Sequence, residues 1–77
     1  MSELVAESVV RMEDGSLWAV TVQTTDEDEN QFEIESQVRQ PDSTRWDSVD
    51  VQGPYDDYEE AMDAAECMYP EHSLTLV

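Results

Sequence analysis

Residues Gly53–Tyr69, GPYDDYEEAMDAAECMY, decide the fold, because a helix start, an apolar period and a helix stop all agree within them. Tyr58, Ala61, Met62, Ala65, Met68 and Tyr69 follow the i, i+3, i+4, i+7 template and form one stripe that needs burial. Asp57 with Glu60 three residues later fits a capping box, as does Asp56 with Glu59 one residue earlier. Pro70 ends the helix, which is therefore expected over Asp57–Tyr69. Glu59, Glu60, Asp63 and Glu66 occupy the opposite face, with Asp56 and Asp57 at the entrance and no lysine or arginine in the segment to answer them. Acidic residues in the first turn complement the helix dipole, so part of this charge has a structural reason. The rest of that face points at water or at something positive.

The chain before this segment reads as the sheet that buries the stripe. Leu4–Met12 is rich in β-branched residues and makes a first strand, followed by an Asp14-Gly15 turn. In the second strand, Leu17–Thr24, Trp18, Val20 and Val22 share the core side. Acidic residues from Asp26 to Glu29 make the next connection. The third strand, Gln31–Arg39, alternates cleanly: Phe32, Ile34, Ser36 and Val38 point inward, and Glu33, Glu35, Gln37 and Arg39 outward. After a break at Gln40–Thr44, a fourth strand over Arg45–Gln52 places Val49 and Val51 in the core, and Gly53-Pro54 closes the sheet. Ser73–Val77 has strand character and suits a fifth strand at an edge. The expected architecture is α+β, one domain over residues 1–77, with an antiparallel sheet of four or five strands and the helix across one face. Its expected core is Trp18, Val20, Val22, Phe32, Ile34, Val38, Val49, Val51, Tyr58, Ala61, Met62, Ala65 and Met68.

Seventy-seven residues is close to the size at which one core leaves only a marginal surplus over chain entropy. Hydrophobic residues at 39% suffice for such a core, although a formal net charge of −17 strains it. Cys67 stands alone, so no internal disulfide forms and a reducing compartment is the simpler expectation. The opening MSELVAESVV has neither the basic start nor the apolar run of a signal peptide. A soluble cytoplasmic protein is expected. Acidic residues number 20 against 3 basic ones, Arg11, Arg39 and Arg45. Such a chain is repelled by nucleic acid and by anionic membranes, and it is expected to seek a cationic partner as a monomer or homodimer.

No residue set announces catalysis or a cofactor. Asp26-x-Asp28-x-Asn30 matches half a calcium loop, but Gln31 stands where glycine is required and Gln37 where a bidentate glutamate should close the site. A solvated acidic turn is the simpler reading. Cys67 and His72 are too few for a structural zinc site, and read as a half-buried cysteine and a surface histidine. No metal, no cofactor and no enzymatic activity are expected.

What remains is the charge distribution. Glu33 and Glu35 lie roughly 6.5 to 7 Å apart along one strand face, and Asp56, Glu59 or Glu60, Asp63 and Glu66 recur at roughly 5 to 6 Å along the helix. Both spacings are close to that of successive phosphates, a B-form strand rising ~3.4 Å per nucleotide. Rows of this kind on a rigid frame imitate a nucleic acid. With its short length, scarce basic residues, strand meander and the run GPYDDYEEAMDAAE, the chain resembles the small acidic proteins that phages and mobile elements encode against host defences, and among these the anti-CRISPR proteins of the DNA-mimic kind. The resemblance implies an inhibitor bound in the DNA-recognition groove of a CRISPR surveillance complex or another nucleic-acid enzyme. The expected partner surface is Asp26, Asp28, Glu29, Glu33, Glu35, Asp56, Glu59, Glu60, Asp63 and Glu66, the helix row foremost. Two alternatives explain the same composition: a domain adapted to high salt, or an acidic adaptor docking on a basic protein surface.

Overall fold

The computed structural model describes residues 3–28 and 30–77. Strands β1 (Leu4–Arg11), β2 (Leu17–Thr24), β3 (Phe32–Arg39) and β4 (Asp47–Tyr55) form an antiparallel meander, helix α1 (Tyr58–Met68) crosses one face, and β5 (Thr75–Leu76) follows. Spatial order is β4-β3-β2-β1-β5, so the helix leaves one edge of the sheet and the chain re-enters at the other. The fold is α+β, as the periodicities predict, and the tail does supply a fifth strand, antiparallel to β1.

Each turn has a local cause. Gly15 takes φ 91°, a conformation that costs glycine little, and donates to the carbonyl of Met12 at 3.0 Å. Asp14 Oδ1 accepts from the Ser16 amide at 2.9 Å and from its hydroxyl at 2.6 Å. These bonds, the hydroxyl's first, hold the Asp14 carboxyl below the ordinary carboxylate range. At the helix start Asp57 is the N-cap, its Oδ1 accepting from the Glu59 amide at 3.0 Å. Tyr69 closes the helix by donating to the carbonyl of Ala65 at 2.8 Å.

The core lies between the helix and one face of the sheet: Ala6, Val20, Val22, Ile34, Ala61 and Ala65, with Trp18, Phe32, Tyr55, Met62, Tyr69 and Leu74 packed half-buried around it. Two alanines at the helix–sheet contact let the backbones approach closely. Trp18 and Val38 are only half-buried, and Tyr58 and Met68 are exposed at 40% and 41%, so the stripe expected from the period is wider than the face the sheet covers.

The fourth strand departs furthest from expectation. It runs on through a cis Gly53–Pro54 bond to Tyr55, which pairs with Phe32, instead of stopping at Gly53-Pro54. Irregularities in its pairing with β3, between Phe32 and Ile34 and between Ser36 and Gln37, break the two-residue alternation. As a result Asp50, Gln52 and Tyr55 stand opposite the core-facing Ser36, Ile34 and Phe32. Val51 pairs with Glu35 on the outer face, 49% exposed, and Val49 is 63% exposed. Neither valine belongs to the core.

His72 is also unlike its sequence reading. It is 3% exposed, Cys67 is the exposed one, and the imidazole lies edge-on to Trp18 and Tyr69. Nδ1 lies 2.9 Å from Ser8 Oγ, while buried Nε2 has no partner among the described residues. Burial pushes its pKa down, against smaller opposing effects of the Glu71 charge and a hydrogen bond at Ser8.

Candidate functional site

A meander returns the chain to the same end of the sheet every second strand. The exit of β2 and the exit of β4 therefore fall at one end, and β4's exit is also where the helix begins. Asp26, Glu27 and Asp28 of the β2–β3 connection thus come beside Asp56, Asp57, Glu59 and Glu60 of the helix start, all of them exposed. A hydrogen bond of 3.4 Å from Gln31 Nε2 to Asp56 Oδ1 ties the two segments together. Thr25, Asp26, Glu27, Gln31 and Glu33 line a cleft of about 360 Å³ there, walled by Val51–Pro54.

All three basic residues are at the other end. Arg11 pairs across β2 Leu17 with Arg39, at the exits of β1 and β3, and Arg45 precedes β4. Arg39 Nε donates to the Ser43 carbonyl at 2.8 Å, and Arg45 makes an exposed 3.5 Å ion pair with Asp47. Eight-residue strands separate the two ends by roughly 23 Å at ~3.3 Å per residue. That exceeds the ~8 Å screening length at physiological ionic strength, so the arginines do not neutralise the acidic end.

The ten expected partner residues therefore do not make one surface. Asp26, Asp28, Asp56, Glu59 and Glu60 converge at the acidic pole, and Asp63 and Glu66 continue it along the exposed face of the helix. Glu33 and Glu35 point to the face of the sheet away from the helix, half-buried; Glu33 still reaches the pole as a wall of the cleft it shares with Asp26 and Glu27, and Glu35 does not. Glu33 Oε1 accepts from Gln23 Nε2 at 2.9 Å, and Glu35 accepts from Gln37 and, at 3.0 Å, from Ser48 Oγ. Glu35 is thus held by neutral donors away from the pole. Glu29 lies outside the described residues. Glu27 and Asp57 join the pole without having been selected from the sequence; strand parity alone places them there.

Asp28 and Asn30 have a local role in the turn. Asp28 Oδ1 accepts from the Asn30 amide at 2.9 Å, and Thr25 Oγ1 both donates to the Asp28 carbonyl at 2.8 Å and accepts its amide at 3.0 Å. This carboxylate is directed at its own backbone. Among the described residues no group of three or more His, Cys, Asp or Glu is arranged to hold a metal ion, and no helix is long and apolar enough to cross a membrane. Comparison of the chain with protein-family models, with curated proteins and with solved structures returns no match.

Proposed function

We propose that this domain is an acidic nucleic-acid mimic that acts in the cytoplasm by occupying the basic groove of a DNA- or RNA-binding complex, as an anti-CRISPR-like inhibitor would. The observation that carries the reading is the separation of charge: carboxylates from two distant segments converge at one pole and run on down the helix, while every arginine sits at the other end. A rigid acidic ridge on a folded frame meets a basic groove without the ordering cost of a flexible acidic tail. The inhibitor class comes from the resemblance in size, charge and the GPYDDYEEAMDAAE segment.

Immobilised domain tests the proposal directly. Basic nucleic-acid-binding proteins should be captured from lysate at low salt and released by saturating duplex DNA, because DNA and domain compete for one groove. The triple reversal of Glu59, Glu60 and Asp63 to lysine should abolish capture. Capture of nothing, or of proteins that stay bound in saturating DNA, would reject the mimic.

Adaptation to high salt is favoured by one separate observation: Glu7, Glu13, Asp42, Asp47 and Glu71 expose further carboxylates away from the pole. That reading predicts unfolding in dilute buffer and recovery near molar salt. A mimic stays folded in dilute buffer.

A further inference from the structure

Below the C-terminal end of the helix, on the helix side of the sheet, Met12, Trp18, Val38, Val49 and Tyr69 leave an open, largely apolar pocket of about 500 Å³ with Asp50 among its walls. It lies far along the strands from the acidic pole, near the arginine end, yet no arginine lines it. Asp50 stands opposite Ser36 in the β3–β4 pairing, on the face that carries Trp18. Its Oδ2 accepts from Gln52 Nε2 at 2.7 Å, and Oδ1 has no hydrogen bond among the described residues. The indole N–H of Trp18 is already used, donating to Ser36 Oγ at 2.9 Å, so this ring brings the pocket aromatic surface and no free donor.

We propose that this pocket takes the cation-tipped side chain of an arginine or lysine of the basic partner, the apolar stem lying against Val38, Val49 and the aromatic rings and the charged head reaching Asp50. The proposal rests on the reading of the partner as basic. Three properties of the site select this occupant. Apolar walls suit the methylene stem, which such side chains bury while keeping the head near water. Trp and Tyr faces attract a cation through their ring quadrupoles. A carboxylate with a free oxygen at an apolar pocket in a chain of charge −17 disfavours an anionic or neutral polar guest and completes a charged hydrogen bond with a guanidinium or ammonium. Arginine anchors in apolar pockets are also where interfaces concentrate their affinity. The acidic pole then steers approach, and the pocket fixes register.

n-Butylguanidinium, titrated into the full chain and followed by the Trp18 indole N–H and the Val49 methyl resonances, tests the pocket apart from the partner. Both signals should move saturably in 150 mM salt. Asp50→Asn should weaken the effect at least fivefold, and Val49→Arg should abolish it by placing a cation in the pocket from within. Both positions are exposed, so the variants should keep the wild-type fold, and dispersed amide signals check this. Equal shifts with the neutral isostere n-butylurea would show an apolar cleft indifferent to charge and overturn the proposal. Shifts confined to the helix row would overturn it while leaving the basic-partner reading intact. Concentration-dependent shifts without any guest would assign the pocket to a second copy of the chain. If butylguanidinium fills the pocket but the domain captures no DNA-displaceable protein, the mimic falls and the pocket stands.

Discussion

The rings of Trp18 and His72 meet edge to face, centroids 4.4 Å apart and planes at 89°. The imidazole is thereby sealed beneath the helix end, where its charged form is disfavoured by burial. Below the ordinary histidine pKa of about 6.5 the unfolded chain takes up a proton that the folded chain resists. Stability should therefore be lost as pH falls through that value, the loss levelling off below the lowered folded pKa. Carboxylate protonation acts on the wild type and on His72→Leu alike, so the difference between their melting curves isolates the imidazole. Wild type should lose ground relative to the variant between pH 7.5 and 5.5. Parallel curves would mean that the ring titrates as it does in water.

The sheet's two faces differ in what they hold, and two aliphatic truncations should expose this. Ile34 is fully buried between sheet and helix, so Ile34→Ala should cost about 2–5 kcal/mol. Val51 faces outward at 49% exposure, and Val51→Ala should change stability by no more than about 0.5 kcal/mol. Urea titrations of both variants decide it; a large loss at Val51 would place that strand face in a packed interface.

Gly53 holds φ 138°, and a Cβ there would lie 3.0 Å from the Phe32 carbonyl oxygen and 3.3 Å from Glu33 Cα. Both obstacles belong to the neighbouring backbone, which yields less readily than a side-chain tip. Gly53→Ala should destabilise by roughly 1–3 kcal/mol through the left-handed conformation and this contact together. Amide exchange should locate the loosened pairing at Phe32–Tyr55. A neutral substitution would mean that the strand relaxes around the added methyl.

The helix and the first three strands were legible because each depends on a local signal, a period or a turn glycine; an acidic N-cap was legible too, but Asp56 and Asp57 fit it equally, and the bond from the Glu59 amide selects Asp57. Strand β4 was not, since its irregular pairing changes which residues face the helix and that change depends on its partner strand. Asp50 and Gln52 consequently take positions that periodicity assigns to valines. One histidine beyond a proline carries no signal of burial; Ser8 and Trp18, far back in the chain, close its pocket together with the neighbouring Tyr69. The acidic pole was within reach, because counting strands places the β2 and β4 exits at one end and the arginines at the other. Spacing along single elements instead joined Glu33 and Glu35 to a helix row on the opposite side of the sheet.

Asp57 caps the helix and adds to the charge of the pole, two effects of opposite sign. Asp57→Ser keeps a side-chain acceptor for the Glu59 amide and removes a like charge, so its stability should match or exceed wild type at low salt. Asp57→Ala loses the acceptor and should cost about 1 kcal/mol. Thermal melts of the pair in 20 mM and 500 mM salt separate the terms: the gap between Ser and Ala should persist, since capping is little screened. The absence of any Ser–Ala gap, with both variants displaced equally from wild type, would mean that the acceptor for the Glu59 amide contributes nothing and that Asp57 acts through its charge.

If the pole is a site of uncompensated repulsion, where charge is removed should matter more than how much. Asp26→Asn, Glu27→Gln and Glu60→Gln together take three charges from the end that has no arginine within a screening length. Glu13→Gln, Asp42→Asn and Asp47→Asn take three from the end where Arg11, Arg39 and Arg45 offset them, and break the Arg45–Asp47 pair. The first set should raise the low-salt melting temperature by roughly 4 °C, relief of a few exposed like-charge interactions in a domain this small. The second should leave it unchanged or lower it. Added salt should erase the difference, because screening does to the wild type what neutralisation does to the variant. Equal gains from both sets would mean that the field is uniform over the surface, and the charge separation on which the mimic rests would have no energetic counterpart.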